Sequence, residues 1–532
     1  MESSFSEKNV DLIRSWLEEC KRHPSCCSST KKEYLPTRLL DVGAQGSNDT
    51  SITLVDTRSM AQLNHADLPL KYICLSYTWG AAEPPLKTTK GTIEGYKAGI
   101  PIDSMPRVFR DAVLVTRTLG IRYLWIDALC IIQDCLGDWH NEASAMAATF
   151  SHSWMTIGAA TTSSCHETLF PPREDISIDI EFRSSIKPDI AGTISILLLE
   201  QNYYHIPLLT ALENSTWNTR GWVWQEQELS QRLLIFGEKM LHFRCRKRQL
   251  HEYGRHYGGG SFAINYESSL AGPDEWTGVM CRYSRRELSK QSDRMAAISG
   301  YVKAVAQELE DAGKPATYIA GIWLTEDAEV DLELSWLIED PTSSFGQLLR
   351  YHSDRQRYIA PSWSWAALSQ PVETVSVGGM LEFEVVAHNI MPARTDPMVA
   401  IAPGSSITLL GNLRKIPGRP SLGIKSSTGW TSATHWDAPY SYDEDIRRVR
   451  RLRVDEKISY FLDWDPSAQD FDEGDPEAHL ELFLLGSRAT GAHGLILFRD
   501  VVNSGSYLRV GCFSIDGPWG SADWKETEVV LI

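Results

Sequence analysis

The sequence predicts an α/β protein, an open parallel sheet with helices and insertions, followed by a β-rich carboxyl-terminal domain. Three observations lead there. Between residues 71 and 160, strand-length apolar runs alternate with helix-period segments, the pattern of a parallel sheet with crossover helices. From about residue 372 onward the chain becomes short strand-like runs broken by Gly, Pro, Asp and Ser, the pattern of a sandwich or barrel. At 532 residues the chain also exceeds what one hydrophobic core ordinarily serves.

Each element follows from local pattern. Residues 1–35 suggest an amphipathic helix, with Val10, Leu12, Ile13, Trp16 and Leu17 on one face and a turn at His23-Pro24-Ser25. Strands are expected at Arg38–Val42, Ile52–Asp56 and Lys71–Tyr77, the last stopping at Thr78-Trp79-Gly80. Pro106 to Leu119 reads as a helix because Val108, Ala112, Val115 and Leu119 recur at spacings of three and four, with Gly120 as its stop. Arg122–Ala128 is a largely apolar strand, as a sheet covered on both faces requires. A second helix spans about Asp138 to His152, and Met155–Ala160 is a further strand.

Beyond residue 160, a strand pair is expected at Ile176–Phe182 with Thr193–Leu199, and strands at Leu233–Phe236 and Met240–Arg244 around a turn at Gly237. Tyr283–Ala306 reads as helical and Tyr318–Trp323 as a strand. Carboxyl-terminal strands are expected at Leu381–Val386, Ser406–Leu410, Ile458–Leu462, Leu480–Leu485, Gly494–Phe498, Tyr507–Phe513 and Glu528–Ile532. The charged run Asp443–Asp455 reads as a solvated face, and Trp363 and Trp365 as same-face strand neighbours joining the two domains.

Composition narrows the function. The formal net charge of -17 repels phosphate and so argues against nucleic acid as a partner. No apolar run reaches the roughly 18 residues of a membrane span, and the segment Met1–Glu7 lacks the basic and apolar regions of a secretory signal. A cytoplasmic location is expected. The ten cysteines include no CxxC pair. Their spacing fits neither a zinc site nor a small disulfide framework, so they are read as reduced, buried small hydrophobes and no metal is expected. With no GxGxxG and no Walker-type loop, hydride-transfer and P-loop chemistry are unsupported.

Five blocks, in order, carry a resemblance. They are Tyr72 to Gly80 (YICLSYTWG), Met105 through Asp134 and on past Trp139 and Glu142 to Met146, and Thr219 to Arg232 (TRGWVWQEQELSQR). Two accessory blocks are Tyr283–Ser289 with Ser292-Asp293-Arg294, and Pro361–Ala366 (PSWSWA). Together they resemble the fungal heterokaryon-incompatibility (HET) domain over residues 36–370, with core motifs at 71–232. Residues 371–532 would then be the β-rich domain. The resemblance implies a role in fungal allorecognition and programmed cell death. It also implies a distant likeness to TIR domains, several of which cleave NAD+. On that likeness Cys74–Tyr77 corresponds to the first TIR strand, Trp125–Asp127 to the second, and Trp222 to Glu226 to the tryptophan–glutamate helix. An insertion of roughly fifty residues before Trp222 departs from a compact TIR fold.

Cleavage at the nicotinamide–ribose bond develops oxocarbenium character on the sugar, which a nearby carboxylate stabilises. Glu226 is the expected catalytic carboxylate. Ser76, Tyr77, Trp79, Asp127, Arg220 and Trp222 are the expected binding residues, with a tryptophan stacking on a substrate ring. NAD+ would be substrate, not resident cofactor. Structural roles remain open at each position: Glu226 pairing with Arg220 or Arg232, Glu142 packing, Asp127 capping a loop, Cys130 packing instead of acting as a nucleophile. Two functional readings also stay open: an NAD+-cleaving death effector assembled as a homo-oligomer through the HET domain, and a non-enzymatic homotypic module that recruits a death partner. A separate recognition protein is a further expected partner.

Overall fold

A computed structural model describes residues 4–27, 34–59, 70–81, 86–172, 177–187, 189–197, 212, 215–238, 240–252, 270, 275–314, 316–325, 333–339, 341–355, 357–374, 380–393, 398–416, 452–453, 458–464, 480–499, 505–517 and 523–532. The chain divides into two compact units, Met1–Ser269 and Leu270–Ile532. This division follows spatial compactness, whereas a boundary at 370 follows sequence motifs.

The first unit opens with helix α1 (Glu7–Cys20), capped by Ser6 and burying Val10, Ile13, Trp16, Leu17 and Cys20. A short helix, α2 (Pro24–Cys27), follows. Strands β1 (Arg38–Asp41), β2 (Ser51–Asp56), β3 (Tyr72–Ser76), β4 (Ile100–Pro101), β5 (Tyr123–Trp125) and β6 (Met155–Gly158) come next. Helix α3 (Arg107–Thr118) crosses between β3 and β5, and α4 (Leu136–Ser151) between β5 and β6. A hairpin of β7 (Ser177–Arg183) and β8 (Ala191–Leu197) and the short helices α5 (Thr216–Thr219) and α6 (Val223–Glu228) precede β9 (Arg232–Phe236), β10 (Leu241–Cys245) and β11 (Gln249–His251).

Nine of these strands form one sheet in the order β11-β10-β9-β6-β3-β5-β1-β2-β4. Its centre, β9-β6-β3-β5, is parallel, and both flanks are antiparallel. The expected parallel sheet is thus the middle of a mixed one. Residues of β3, β5, β6 and β9 are buried throughout, which accounts for their unbroken apolar runs. Taken in chain order, the parallel strands lie second, first, third, fourth, the flavodoxin-like arrangement whose switch point falls between the first strand and the third. Here those are β3 and β6, paired with Ser76 opposite Gly158.

The second unit begins with α7 (Trp276–Ser284) and α8 (Arg294–Asp311), so the helical region expected over 283–306 is two helices. The single strand expected at Tyr318–Trp323 is instead a hairpin of β12 (Thr317–Ile319) and β13 (Ile322–Leu324). Ala320 and Gly321 both take positive φ, the two-residue turn that matches strand twist. Strand β14 (Trp336–Ile338) pairs with β15 (Val372–Thr374), and α9 (Phe345–Ser353) lies between them in the chain. Trp363 and Trp365 are fully buried inside this unit. The Trp365 indole donates to Gly321 O, and Trp363 O accepts from Trp336.

The remaining strands are β16 (Met380–Leu381), β17 (Phe383–Asn389), β18 (Ser406–Lys415), β19 (Leu452–Arg453), β20 (Ile458–Leu462), β21 (Leu480–Arg488), β22 (Gly491–Arg499), β23 (Ser506–Asp516) and β24 (Lys525–Leu531). Pairings β18–β21, β21–β22, β22–β23, β23–β24 and β24–β18 close a ring. The β-rich region is therefore barrel-like, with its central edges removed. Most of the charged run 443–455 lies outside the described residues.

Candidate functional site

The end of β3 faces helix α6 at the switch point of the sheet. The Ser76 hydroxyl donates to the Glu226 carboxylate, and its oxygen accepts the Trp217 indole N–H at 2.7 Å. All three side chains are buried, Glu226 at 5% exposure. The backbone beneath Glu226 is pinned too: Ser230 donates to Glu226 O at 2.5 Å and shares a 2.6 Å hydroxyl contact with Thr156 of β6. Farther along, Arg244 of β10 pairs with Glu228 at 3.2 Å. Helix α6 is thus tied to β6 and β10 through its last turn while Glu226 points at β3. Gly158 makes room for this arrangement, because a Cβ there would meet the Trp217 ring at 3.0 Å and Ile235 at 3.2 Å.

Asp127 forms the neighbouring station. It sits at the first residue of a helical turn after β5, where its Oδ1 accepts Ala128 N–H at 2.6 Å. Its other oxygen accepts the Trp79 indole N–H at 2.8 Å. Burial pushes the Asp127 carboxyl above its ordinary value, and Tyr77, Trp79 and the Arg220 guanidinium hold it back. Arg220 donates to Tyr77 O, linking the Asp127 station to the strand end that carries Ser76. Burial and the Asp127 charge together raise the Tyr77 phenol well above its usual range. The arrangement is two carboxylates, each fixed by a directed donor: Asp127 after the end of β5, and Glu226 of α6 held against the end of β3.

Residues 72–226 match the family model described as heterokaryon incompatibility protein (HET). This stretch is a HET domain. The match supports a heterokaryon-incompatibility role. A search of curated proteins and of solved structures found no match.

Within the HET domain, Ser76, Tyr77, Trp79, Asp127, Arg220 and Glu226 come together as one connected group. Trp222 stands apart from these contacts as the half-buried residue that opens α6, its carbonyl accepting Glu226 N–H at 3.4 Å. Arg232, one of the two cations weighed as a structural partner for Glu226, instead reaches Cys20, Cys26 O and Trp154 O. Glu142 is a packing carboxylate: it is buried beside Arg38 at 3.7 Å, and Arg38 also pairs with Asp138 at 2.5 Å. Burial raises the Glu142 carboxyl, with Arg38 pulling the other way.

Cys130 is fully buried and its thiol is pushed up to about 12, chiefly by burial. Burial of this kind favours a packing thiol over a nucleophilic thiolate. Cys74, Cys165 and Cys512 are likewise buried. Trp217 is the site residue that sequence reasoning missed. It lies just before the Thr219–Arg232 block, and its only signal was an apolar ring next to a polar run. No helix among the described residues is long and apolar enough to cross a membrane.

Proposed function

We propose that this HET domain acts as an incompatibility effector that cleaves NAD+ at the nicotinamide–ribose bond, with Glu226 as the carboxylate beside the ribose. The observation that carries this reading is the Ser76–Glu226 hydrogen bond at the β3/β6 switch point, the place where open α/β sheets bind ligands. It joins the first and third HET blocks, and that juxtaposition supports the reading. Trp217 supplies its N–H to Ser76, so the serine proton is committed to Glu226 and the carboxylate is held in one orientation. An oriented carboxylate stabilises an oxocarbenium-like sugar without reorganising at the moment of bond cleavage. Asp127, fixed by Trp79, would hold a ribose hydroxyl or order the first loop.

The test is nicotinamide release from NAD+ by the purified full chain, with and without a crowding agent, beside Glu226→Gln and Glu226→Ala. Wild-type turnover that falls about a hundredfold or more in both variants supports the reading. Activity near the wild-type level in either variant removes Glu226 from the role.

One observation favours the non-enzymatic alternative. In the β7–β8 hairpin, Ile180 opposes Ile194 and Phe182 opposes Gly192 on one face, and Ile180, Phe182 and Ile194 are 46%, 39% and 49% exposed. Such a face on a two-stranded ribbon suits self-association, and a second copy of the chain is the proposed occupant. Under this reading, cell death on overexpression persists when Glu226 is replaced.

A further inference from the structure

The cysteines expected to be dispersed packing residues include three that converge. Cys20 ends α1, Cys26 lies in α2, and Cys245 ends β10. His23 stands between the first two in a Cys-x2-His-x2-Cys spacing. The ligand atoms of Cys20, His23, Cys26 and Cys245 all lie within 4.8 Å of one another. Successive main-chain bonds, His23 N to Cys20 O at 3.1 Å and Cys26 N to His23 O at 3.0 Å, turn the three local residues toward the strand. Register then places Cys245 opposite Arg232.

We propose that these four residues form a structural zinc site. The dimensions fit. Zinc–sulfur bonds of about 2.3 Å and zinc–nitrogen bonds of about 2.0–2.1 Å give a tetrahedron with edges of roughly 3.6–3.8 Å. The His23 Nδ1 lies 3.8 Å from Cys26 Sγ and 3.7 Å from Cys245 Sγ. A three-sulfur, one-nitrogen set selects zinc among the divalent metals. The three cysteines are thiols, not disulfides, and a disulfide would engage only two of the four groups.

The surroundings match the charge of such a centre. Three thiolates and a neutral imidazole around Zn2+ carry a net negative charge, and the Arg232 guanidinium sits against them. Its Nε donates to Cys20 Sγ at 3.3 Å and a terminal nitrogen to Cys26 O at 2.9 Å, the kind of outer hydrogen bond that orients metal ligands. Both Cys20 and Cys26 are nearly inaccessible, as is Cys245. The site would clamp the amino-terminal helices to β10. Trp16 already stacks on Phe243 of that strand, with ring centroids 5.9 Å apart.

Sequence reasoning missed the site because its fourth ligand is more than two hundred residues from the first three. Elemental analysis of the full chain, purified without chelator, is expected to find about one zinc per chain. Cys245→Ser is expected to drop this below a tenth, while Cys165→Ser keeps it. Should the Cys245 variant fail to fold, cobalt exchanged into the wild type gives an independent reading through its thiolate charge-transfer absorption. Zinc retained by Cys245→Ser, or wild-type protein with neither bound zinc nor the cobalt band, overturns the proposal.

Discussion

Trp217 donates its indole N–H to Ser76 Oγ at 2.7 Å, and Ser76 in turn donates to Glu226. The chain of donors runs one way and ends on a carboxylate. Trp217→Phe keeps the ring against Gly158 but removes the first donor. It is expected to cost about 1 kcal/mol, the net worth of one hydrogen bond, read from urea unfolding. If the serine proton directs Glu226, nicotinamide release falls as well, because Trp217 holds Ser76 in place.

Ser76→Ala and Glu226→Gln separate structure from chemistry. The alanine removes the acceptor of the Trp217 indole N–H and one donor to the carboxylate. It is expected to destabilise by about 1–2 kcal/mol, the net worth of the hydrogen bonds lost. Glutamine at 226 preserves an acceptor for Ser76 and folds nearly as well. Its turnover is nonetheless expected to fall about 10²–10³-fold, the scale on which transition-state electrostatics operate. Equal losses in stability and activity for both variants would mean that Glu226 is structural.

Much of this site was legible because its parts end strands or open helices. Glycine, proline and tryptophan at Thr78-Trp79-Gly80, at Pro106 and at Gly120 marked where β3 stops and α3 begins and ends. Strands buried on both faces declared themselves as apolar runs. Flanking strands were harder: β4 is Ile100–Pro101, two residues too few for any periodicity. Long-range geometry was not legible at all. Nothing local says that Trp217 reaches Ser76, that Arg232 turns toward Cys20, or that Tyr318 and Trp323 belong to opposite arms of a hairpin.

Glu333 gives the second unit a pH signature. Its carboxylate accepts Trp323 N–H at 2.6 Å, and burial raises its pKa well above 4.5. Folding therefore takes up a proton once the unfolded glutamate has ionised. The stabilisation is fully present below pH 4.5 and is lost as pH rises toward the folded value. The slope is about 1.4 kcal/mol per pH unit. Glu333→Gln is expected to flatten that slope above pH 4.5 and to stabilise the unit near neutrality, measured by thermal melts across pH. An unchanged slope in the variant assigns the effect elsewhere.

Arg509 and Asp463 are a buried pair in the second unit, 2.5 Å apart. The guanidinium also lies over the Trp336 ring, 3.4 Å from its centroid. Asp463→Ala strands that cation and is expected to cost about 3–5 kcal/mol. The loss should appear in denaturant unfolding of the full chain, with the zinc content of the first unit unchanged.

Replacing Ile180 and Phe182 with lysine tests the exposed hairpin face. If that face joins two copies, light scattering should show the wild type larger than the variant at matched concentration. A wild type that is monomeric throughout leaves the face without the proposed occupant.

The mixed sheet has a practical corollary for where this chain can be cut. The matched segment, 72–226, contains β3, β5 and β6 but stops short of β9 and leaves out β1. A fragment cut at those limits would leave β5 and β6 as raw, greasy borders on either side of a three-stranded remnant, inviting other chains to pair with them. In this chain the matched segment is therefore smaller than the sheet it belongs to. Expression trials that run from the first helix to residue 252 should yield soluble material where the shorter fragment precipitates.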